Sequence, residues 1–178
     1  MKKVEEKAYA KVNLVLNIGD HRPDGYHDIQ TVMQSLELHD DVTVEQTGGA
    51  GVTVTTNVET IPTDENNLAV KAVKAFAAKT GVQADGLSIH IEKRIPVAAG
   101  LGGGSSDAAA TLRALNQIYE TNLSLDELAE IAFAVPGEEG GLPVKVADKL
   151  RALEMLYKHL GLGDGAKTEG VVIVDSES

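Results

Sequence analysis

The chain has 178 residues, 43% of them hydrophobic but only 3% aromatic, so we expect one sizeable core built from aliphatic side chains. Its 16 basic and 27 acidic residues leave a net charge of -11, which argues against binding nucleic acid through a general basic surface. The absence of cysteine excludes disulfides and thiolate metal sites, and no apolar run reaches transmembrane length. The opening Met-Lys-Lys-Val-Glu-Glu lacks the apolar core of a signal peptide, so we expect a cytoplasmic location and no membrane partner.

Apolar periodicity predicts an α+β fold in which most strands precede the helices. Strands are predicted over residues 4–18, 30–38, 41–47, 51–56 and 87–93, and helices over residues 66–80, 105–119 and 124–133. Gly48-Gly-Ala-Gly51 lies between two alternating segments and predicts a hairpin turn. Gly81 is the expected end of the first helix. Ser105 or Ser106 is the expected N-cap of the second, and Ser124 to Glu127 predicts a capping box at the third.

The first predicted strand has an apolar face and a polar face. With period two, the apolar face holds Ala10, Val12, Leu14, Leu16 and Ile18, and we expect it to pack on the core. Lys11 and Asn13 project together from the other face, either as a functional pair or as a solvated edge. The turn Arg22-Pro-Asp-Gly-Tyr-His27 follows. Its Tyr26–His27 pair is either a platform that stacks on and hydrogen-bonds to a base or part of an ordinary loop.

The segment Pro96-Val-Ala-Ala-Gly-Leu-Gly-Gly-Gly-Ser-Ser106 is the most informative part of the chain. Four glycines in five positions allow backbone N–H groups to converge on one point, and the N-terminus of the helix that follows favours an anion. The expected anion is a nucleotide triphosphate. No Gly-Lys-Ser/Thr ends the segment, so it is not a Walker A loop, and it is not a convincing dinucleotide fingerprint. A glycine-rich turn between a strand and a helix is the alternative that the segment itself leaves open.

Several motifs together resemble one family, the GHMP superfamily of small-molecule kinases. They are Ala10-Lys-Val-Asn-Leu14, Asp24-Gly-Tyr-His27, Glu65-Asn-Asn-Leu68 and Pro96 to Asp107, and they occur in the order typical of that family. The resemblance covers about residues 3–131 and is greatest to the 4-diphosphocytidyl-2-C-methyl-D-erythritol kinases of the non-mevalonate isoprenoid pathway. It implies a two-layer mixed sheet with helices on one side, similar to the second domain of ribosomal protein S5. It also implies phosphorylation of the 2-hydroxyl of a cytidine-diphospho sugar alcohol, with ATP and Mg²⁺ as cofactors.

The resemblance implies a role for each motif residue. Lys11 is the expected catalytic cation, and Asn13 is expected to hold the acceptor alcohol. Tyr26 and His27 are expected to bind the cytosine, and Asn67 to lie toward the adenosine of ATP. The residues expected to wrap the ATP phosphates are Pro96, Val97, Ala98, Ala99, Gly100, Leu101, Gly102, Gly103, Gly104, Ser105 and Ser106. Ser105 or Ser106 is expected to lie near the magnesium ion.

One family feature is missing from this sequence. The resemblance implies a catalytic aspartate in a Gly-Ser-Asp-Val-Pro-Phe-like segment soon after the third helix, whereas the chain reads Phe133-Ala-Val-Pro-Gly-Glu-Glu-Gly-Gly141. Glu138 and Glu139 are the nearest carboxylates, and we interpret them as solvated linker residues. The second domain of the family, which closes the substrate cleft, has no counterpart either. We therefore expect a truncated or chimeric kinase with impaired catalysis, or a module that binds nucleotide without turnover.

The remainder of the chain predicts a separate tail. We divide the sequence into a GHMP kinase N-terminal domain at 1–134, a linker at 135–143 and a helix–strand tail at 144–178. Apolar positions spaced by three and four predict a helix over 144–160, and Gly170 to Asp175 predicts a short strand. The tail faintly resembles the C-terminal region of phage terminase small subunits, although an ordinary amphipathic helix explains it equally well. If that resemblance holds, the tail forms a homo-oligomer and the protein serves in assembly.

Two charged pairs lie outside these motifs. Asp40-Asp41 falls between two predicted strands, and we interpret it as part of a turn rather than a metal site. Lys93-Arg94 precedes the glycine-rich segment, and the sequence leaves open whether it is solvated or reaches the nucleotide phosphates.

Overall fold

A computed structural model describes residues 1–21, 27–135 and 172–174. Its elements in chain order are β1 (Lys3–His21), β2 (His27–Gln46), β3 (Val52–Thr56), α1 (Leu68–Thr80), β4 (Leu87–Glu92), α2 (Gly103–Tyr119), α3 (Leu125–Ala134) and β5 (Val172–Val174). The order of strands and helices confirms the α+β prediction. Within the described ranges, no helix is long and apolar enough to cross a membrane.

The strands form a mixed sheet that is covered by helices on one face. Its order is β1-β2-β4-β3, and β5 pairs with β2 at residues 31–33. All pairs are antiparallel except β3–β4, which is parallel. The core joins inward-facing residues of the sheet to the helices, including Val42, Val44, Ile89, Ile91, Phe76, Leu112 and Leu115. His90 on the opposite face of β4 is exposed, as expected for a sheet with one solvated face.

The predicted hairpin at residues 48–51 is wrong. The strands on either side of this turn do not pair with each other, because β4 lies between them. Both ends of the turn instead bond to the start of β4. Thr47 N donates to Gly86 O at 2.8 Å, and Leu87 N, in the first residue of β4, donates to Gly51 O at 3.0 Å. Leu87, Ile89 and Ile91 of β4 are all buried, so this strand takes the central position where its apolar side chains lose most contact with water.

The expectation that the apolar face of the first strand packs on the core holds only for its first half. Ala10 is buried, but Leu14, Leu16 and Ile18 are 57%, 48% and 57% exposed. Beyond Asn13 the strand pairs with the first part of β2, whereas β4 pairs with residues 41–46 of β2. The far half of β1 and its partner therefore form a ribbon that extends past the helical layer. Register shifts in this ribbon also interrupt the two-residue alternation.

The two predicted strands at 30–38 and 41–47 are a single strand, β2. Asp40 and Asp41 therefore lie inside a strand, and their interpretation as a turn is wrong. Asp40 is fully buried, which a carboxylate tolerates only when charged or polar groups surround it. Lys93 supplies the neutralising charge from the end of β4.

The helix ends agree with the sequence at α1 and α3 but not at α2. Gly81 ends α1 with a φ of 73°, and Ser124 with Glu127 forms the predicted capping box of α3. The predicted serine N-cap of α2 is wrong, because the helix begins at Gly103 and its N-cap is Gly102. The Ser106 hydroxyl is occupied elsewhere: it donates to Tyr9 O at 2.7 Å.

Candidate functional site

The glycine-rich loop enters α2 without a capping side chain. Gly102, the N-cap, has a φ of 75° and forms no side-chain hydrogen bond to the helix. The first N–H groups of a helix have no acceptor within it, so this end of α2 presents unpaired donors and a partial positive charge. Ala98 and Gly100 also have positive φ, and residues 96–100 are exposed. The loop therefore has an exposed, donor-rich backbone of a kind that suits an anion.

Three glycines of the loop pack closely against neighbouring side chains. A Cβ at Gly102 would lie 3.3 Å from Lys11 Cγ, and one at Gly104 would lie 3.1 Å from Leu68 Cδ1. At Gly103 it would lie 3.1 Å from both Lys93 Nζ and Ile95 Cγ2. A side chain at any of these positions would require the neighbouring side chain to shift by a few tenths of an ångström.

Strand β1 and the glycine-rich loop are joined at Lys11. The backbone N–H of Lys11 donates to Leu101 O at 2.9 Å, and its side chain lies against Gly102. Lys11 Nζ donates to Asn13 Oδ1 at 3.4 Å, so these two side chains project together as the alternation predicted. Two motifs that are about 90 residues apart in the sequence thus meet at one place, where a cation lies beside the unpaired N–H groups of α2.

Asn67 shapes the loop before α1 from a buried position. As the N-cap of that helix, it accepts through Oδ1 from Ala69 N at 2.8 Å. Its Nδ2 donates to Pro62 O at 2.7 Å. The sequence did not predict this capping role. Contact between Asn67 and adenosine stays a prediction.

Several predicted site residues lie outside the described part of the chain. Tyr26 is one of them, and His27 is placed only through its backbone, where β2 begins opposite His21. Glu138, Glu139 and the predicted helix at 144–160 are also outside the described residues. The predicted strand at 170–175 corresponds to β5.

Comparison with known proteins identifies the family to which this site belongs. The family model for the GHMP kinases N terminal domain matches residues 67–152. The chain is 48% identical over 125 residues to a 4-diphosphocytidyl-2-C-methyl-D-erythritol kinase of Lachnoclostridium phytofermentans. The chain carries a GHMP kinase N-terminal domain. The resemblance of the sequence to this family is therefore confirmed, and the family match runs past the predicted linker at 135–143.

The related kinases are longer than this chain. The match to the Lachnoclostridium protein covers 70% of this chain and 43% of the relative, and a kinase of the same name from Caldicellulosiruptor bescii matches at 50% identity with the same coverage. A crystal structure of 4-(cytidine 5'-diphospho)-2C-methyl-D-erythritol kinase aligns with a TM-score of 0.62 at 37% identity. That alignment covers 75% of this chain and 46% of the solved one, and it confirms the predicted GHMP fold.

The sequence did not predict a buried charge cluster, formed by Asp40, Lys93 and Asp107, beneath the glycine-rich loop. Lys93 Nζ contacts Asp40 Oδ2 at 2.5 Å and Asp107 Oδ2 at 2.7 Å, and all three side chains are buried. Lys93 is therefore neither solvated nor exposed to a nucleotide, whereas the exposed Arg94 pairs with Asp41 at 2.6 Å. The sequence signal that could have indicated this cluster is the pair Asp40-Asp41, which lies directly between two segments with strand periodicity. Among the described residues no group of three His, Asp or Glu side chains could hold a metal ion.

Burial and the close contact of opposite charges shift the pKa values of Asp107 and Lys93. Burial raises the pKa of Asp107 to about 7, against the opposing effect of Lys93, and the nearby Asp40 carboxylate adds to the rise. Burial alone would lower the pKa of Lys93, but Asp107 and Asp40 together raise it above its ordinary value. Lys93 therefore stays charged, and Asp107 takes up a proton as the pH falls through about 7.

The raised pKa of Asp107 predicts that the free energy of unfolding falls as the pH rises. Because its pKa is raised on folding, the native state binds a proton that the unfolded state has already lost between about pH 4 and pH 7. The free energy of unfolding should therefore decrease across this interval by at most about 1.4 kcal/mol per pH unit relative to Asp107→Asn. Urea unfolding of both proteins from pH 5 to pH 8 measures the difference. Parallel pH profiles would contradict the prediction.

Proposed function

We propose that the chain belongs to a cytoplasmic, ATP-dependent kinase that phosphorylates the 2-hydroxyl of 4-diphosphocytidyl-2-C-methyl-D-erythritol. The observation that supports this most is the contact between Lys11 and the glycine-rich loop at Leu101 and Gly102. The names of the relatives supply the substrate, a cytidine-diphospho sugar alcohol. Because the chain spans about 43% of those relatives, the activity of the whole protein is part of the proposal.

The loop suits the phosphates of ATP. Its exposed part, residues 96–100, leads to a glycine N-cap with no side chain in the way, and the first turn of α2 has unpaired N–H groups. We assign the phosphates to these groups, as the residues of the loop fit an anion. Bound ATP would supply the γ-phosphoryl group, and Mg²⁺ would neutralise the charge on its oxygens.

Two polar residues of β1 suit the acceptor and the charge that develops during transfer. Lys11 would place its ammonium group where negative charge accumulates on the transferring phosphoryl. Asn13, which accepts from Lys11 Nζ, would orient the acceptor hydroxyl. His27 is the first residue of β2 and Tyr26 precedes it in the sequence, and we assign the two to the cytosine, one by stacking and one by hydrogen bonding.

Of the two serines in the first turn of α2, Ser105 suits a magnesium ion better. Ser106 is buried, and its hydroxyl donates to Tyr9 O. Ser105 is partly exposed. We therefore assign a hydroxyl contact with Mg²⁺ to Ser105, and a structural contact with β1 to Ser106.

Turnover by this chain should be slow. Residues 133–141 contain no aspartate at the place where the resemblance implies the catalytic one. The same observation favours a second candidate function, a module that binds nucleotide without transferring phosphate.

Release of ADP from Mg-ATP, measured with and without the cytidine-diphospho substrate, separates the two functions. Release that depends on the substrate supports the kinase. ATP binding without such release supports the binding module, and a chain that does not bind ATP at all would overturn both. Calorimetric titration with ATP measures the binding separately from the reaction.

Gly102→Ala is expected to weaken ATP binding by at least about tenfold, because a new Cβ would press against the Lys11 side chain in a backbone region that disfavours alanine. Gly81→Ala is the matched control. Gly81 has a φ of 73°, close to the 75° of Gly102, but nothing lies within 4 Å of its Cβ position. Both variants should lose similar stability by thermal unfolding, and only Gly102→Ala should lose affinity. An equal loss of ATP affinity in both would contradict this explanation.

A further inference from the structure

We propose that Asp40, Lys93 and Asp107 are positioning residues that hold both ends of the glycine-rich loop in the shape that binds nucleotide phosphates. This inference rests on the proposed function, since it takes the loop to be the phosphate site. It concerns residues that do not themselves touch the nucleotide. The three side chains come from β2, from the end of β4 and from α2, so one cluster connects three elements beneath the loop.

The entry to the loop is held by Asp40. Its Oδ1 accepts from Arg94 N at 2.5 Å and from Ile95 N at 2.8 Å, the two residues that precede Pro96. Its Oδ2 accepts from Lys93 Nζ. A single buried carboxylate thus fixes three consecutive residues, 93–95, against the neighbouring strand. A carboxylate that accepts three hydrogen bonds in a buried place is held in one orientation.

The exit from the loop is held by Lys93 through Asp107. Lys93 Nζ donates to Asp107 Oδ2 at 2.7 Å, in the second turn of α2. The same ammonium group lies 3.1 Å from the position that a Cβ would take at Gly103. Lys93 therefore lies directly below the first residue of the helix, and the distance between the loop's two ends depends on its contacts.

Lys93 is placed to act through the loop and not as a phosphate ligand. Its side chain is only 4% exposed, and two carboxylates from β2 and α2 face it. These carboxylates cancel its charge, so the cluster presents no net positive field to a phosphate. A cation of β1, Lys11, has its side chain against Gly102 on the loop. Loss of a cluster contact should therefore alter nucleotide affinity by loosening the loop, since small displacements of binding groups have large effects.

Asp107 offers the cleanest way to release one end of the loop. Replacing it leaves Lys93 paired with Asp40 one to one, so no buried charge is left without a partner. Replacement by leucine ends the interaction of Asp107 with the Asp40 carboxylate and its contact with Lys93. Asp107→Leu removes that contact, whereas Asp107→Asn keeps an acceptor for Lys93. Arg113→Met is the matched control. Arg113 is on the same helix as Asp107 but away from the loop, and it forms a buried pair with Glu6 of β1 at 2.8 Å.

The test compares the full chain with these three variants. ATP affinity by titration should fall at least about tenfold in Asp107→Leu and stay within about threefold in Asp107→Asn and Arg113→Met. The affinity for the cytidine-diphospho substrate alone should be unchanged in all of them. Hydrogen exchange of residues 96–106, measured without nucleotide, should be faster in Asp107→Leu than in Arg113→Met at equal thermal stability.

The outcomes separate this inference from the proposed function. Normal ATP affinity in Asp107→Leu would overturn the inference, as would an equal loss in Arg113→Met. If the unmodified chain fails to bind ATP, the kinase proposal is overturned. In that case hydrogen exchange of residues 96–106 still tests the positioning role by itself. Faster exchange in Asp107→Leu than in Arg113→Met supports that role, and equal exchange in these two variants overturns it.

Discussion

Replacing Lys11 by methionine is expected to reduce kcat by about 10² to 10³-fold while ATP affinity stays within a few fold, in the range found for removal of one charge-stabilising group. The methionine retains the aliphatic contact with Gly102 and removes the ammonium group, with its charge and its hydrogen bond to Asn13. Since phosphoryl transfer relies on positioning and charge stabilisation, the loss should appear in the chemical step. Substrate-dependent release of ADP under saturating Mg-ATP measures kcat, and calorimetric titration measures ATP affinity.

Lys7→Met is the matched control for this experiment. Lys7 lies on the same strand four residues earlier, and its side chain is exposed on the part of β1 that pairs with Asp41. The same change of charge at Lys7 should leave kcat unaltered. An unaltered rate in Lys11→Met would remove Lys11 from the mechanism. Equal losses in both variants would indicate an effect of net charge and would also contradict a local role.

Replacing Lys93 by methionine is expected to lower the free energy of unfolding by about 3–5 kcal/mol, because it leaves two buried carboxylates without a counter-ion. The Asp40 side chain is 0% exposed and that of Asp107 only 7%. The loss should be smaller at pH 5 than at pH 8, since protonation of Asp107 removes one of the two charges. Urea unfolding at both pH values measures the difference.

Arg94→Met controls for the loss of a positive charge at the neighbouring position. The side chains of Arg94 and Asp41 are 47% and 40% exposed, so water screens their pair and its removal should change stability far less than the loss of Lys93. A Lys93→Met protein as stable as Arg94→Met would mean that water reaches the two carboxylates. Such a result would also weaken the argument that Lys93 holds the loop.

Local patterns in the sequence were sufficient for most of the secondary structure and for the main parts of the candidate site. Alternating apolar residues predicted the strands, and Gly81 and the Ser124 capping box predicted helix ends. The glycines before α2 and the pair Lys11–Asn13 could be recognised because backbone freedom and side-chain direction depend on residues close together in the chain. Their meeting at Leu101 was implied only by resemblance to a family.

The arrangement of these elements depends on long-range contacts that the sequence pattern does not contain. The turn at 48–51 looked like a hairpin, but the apolar strand β4 gains more by lying between its neighbours. The apolar side chains of the β1 ribbon are exposed because the helical layer ends before it. In the same way, Asp40 was predicted in a turn but lies buried inside β2, where Lys93 from the end of β4 neutralises its charge. The sequence by itself determined the family, most of the elements and the glycine-rich segment before α2, since these depend on local chemistry. Only the tertiary structure decided which strands are neighbours and which charges are buried together, because those depend on where distant residues pack.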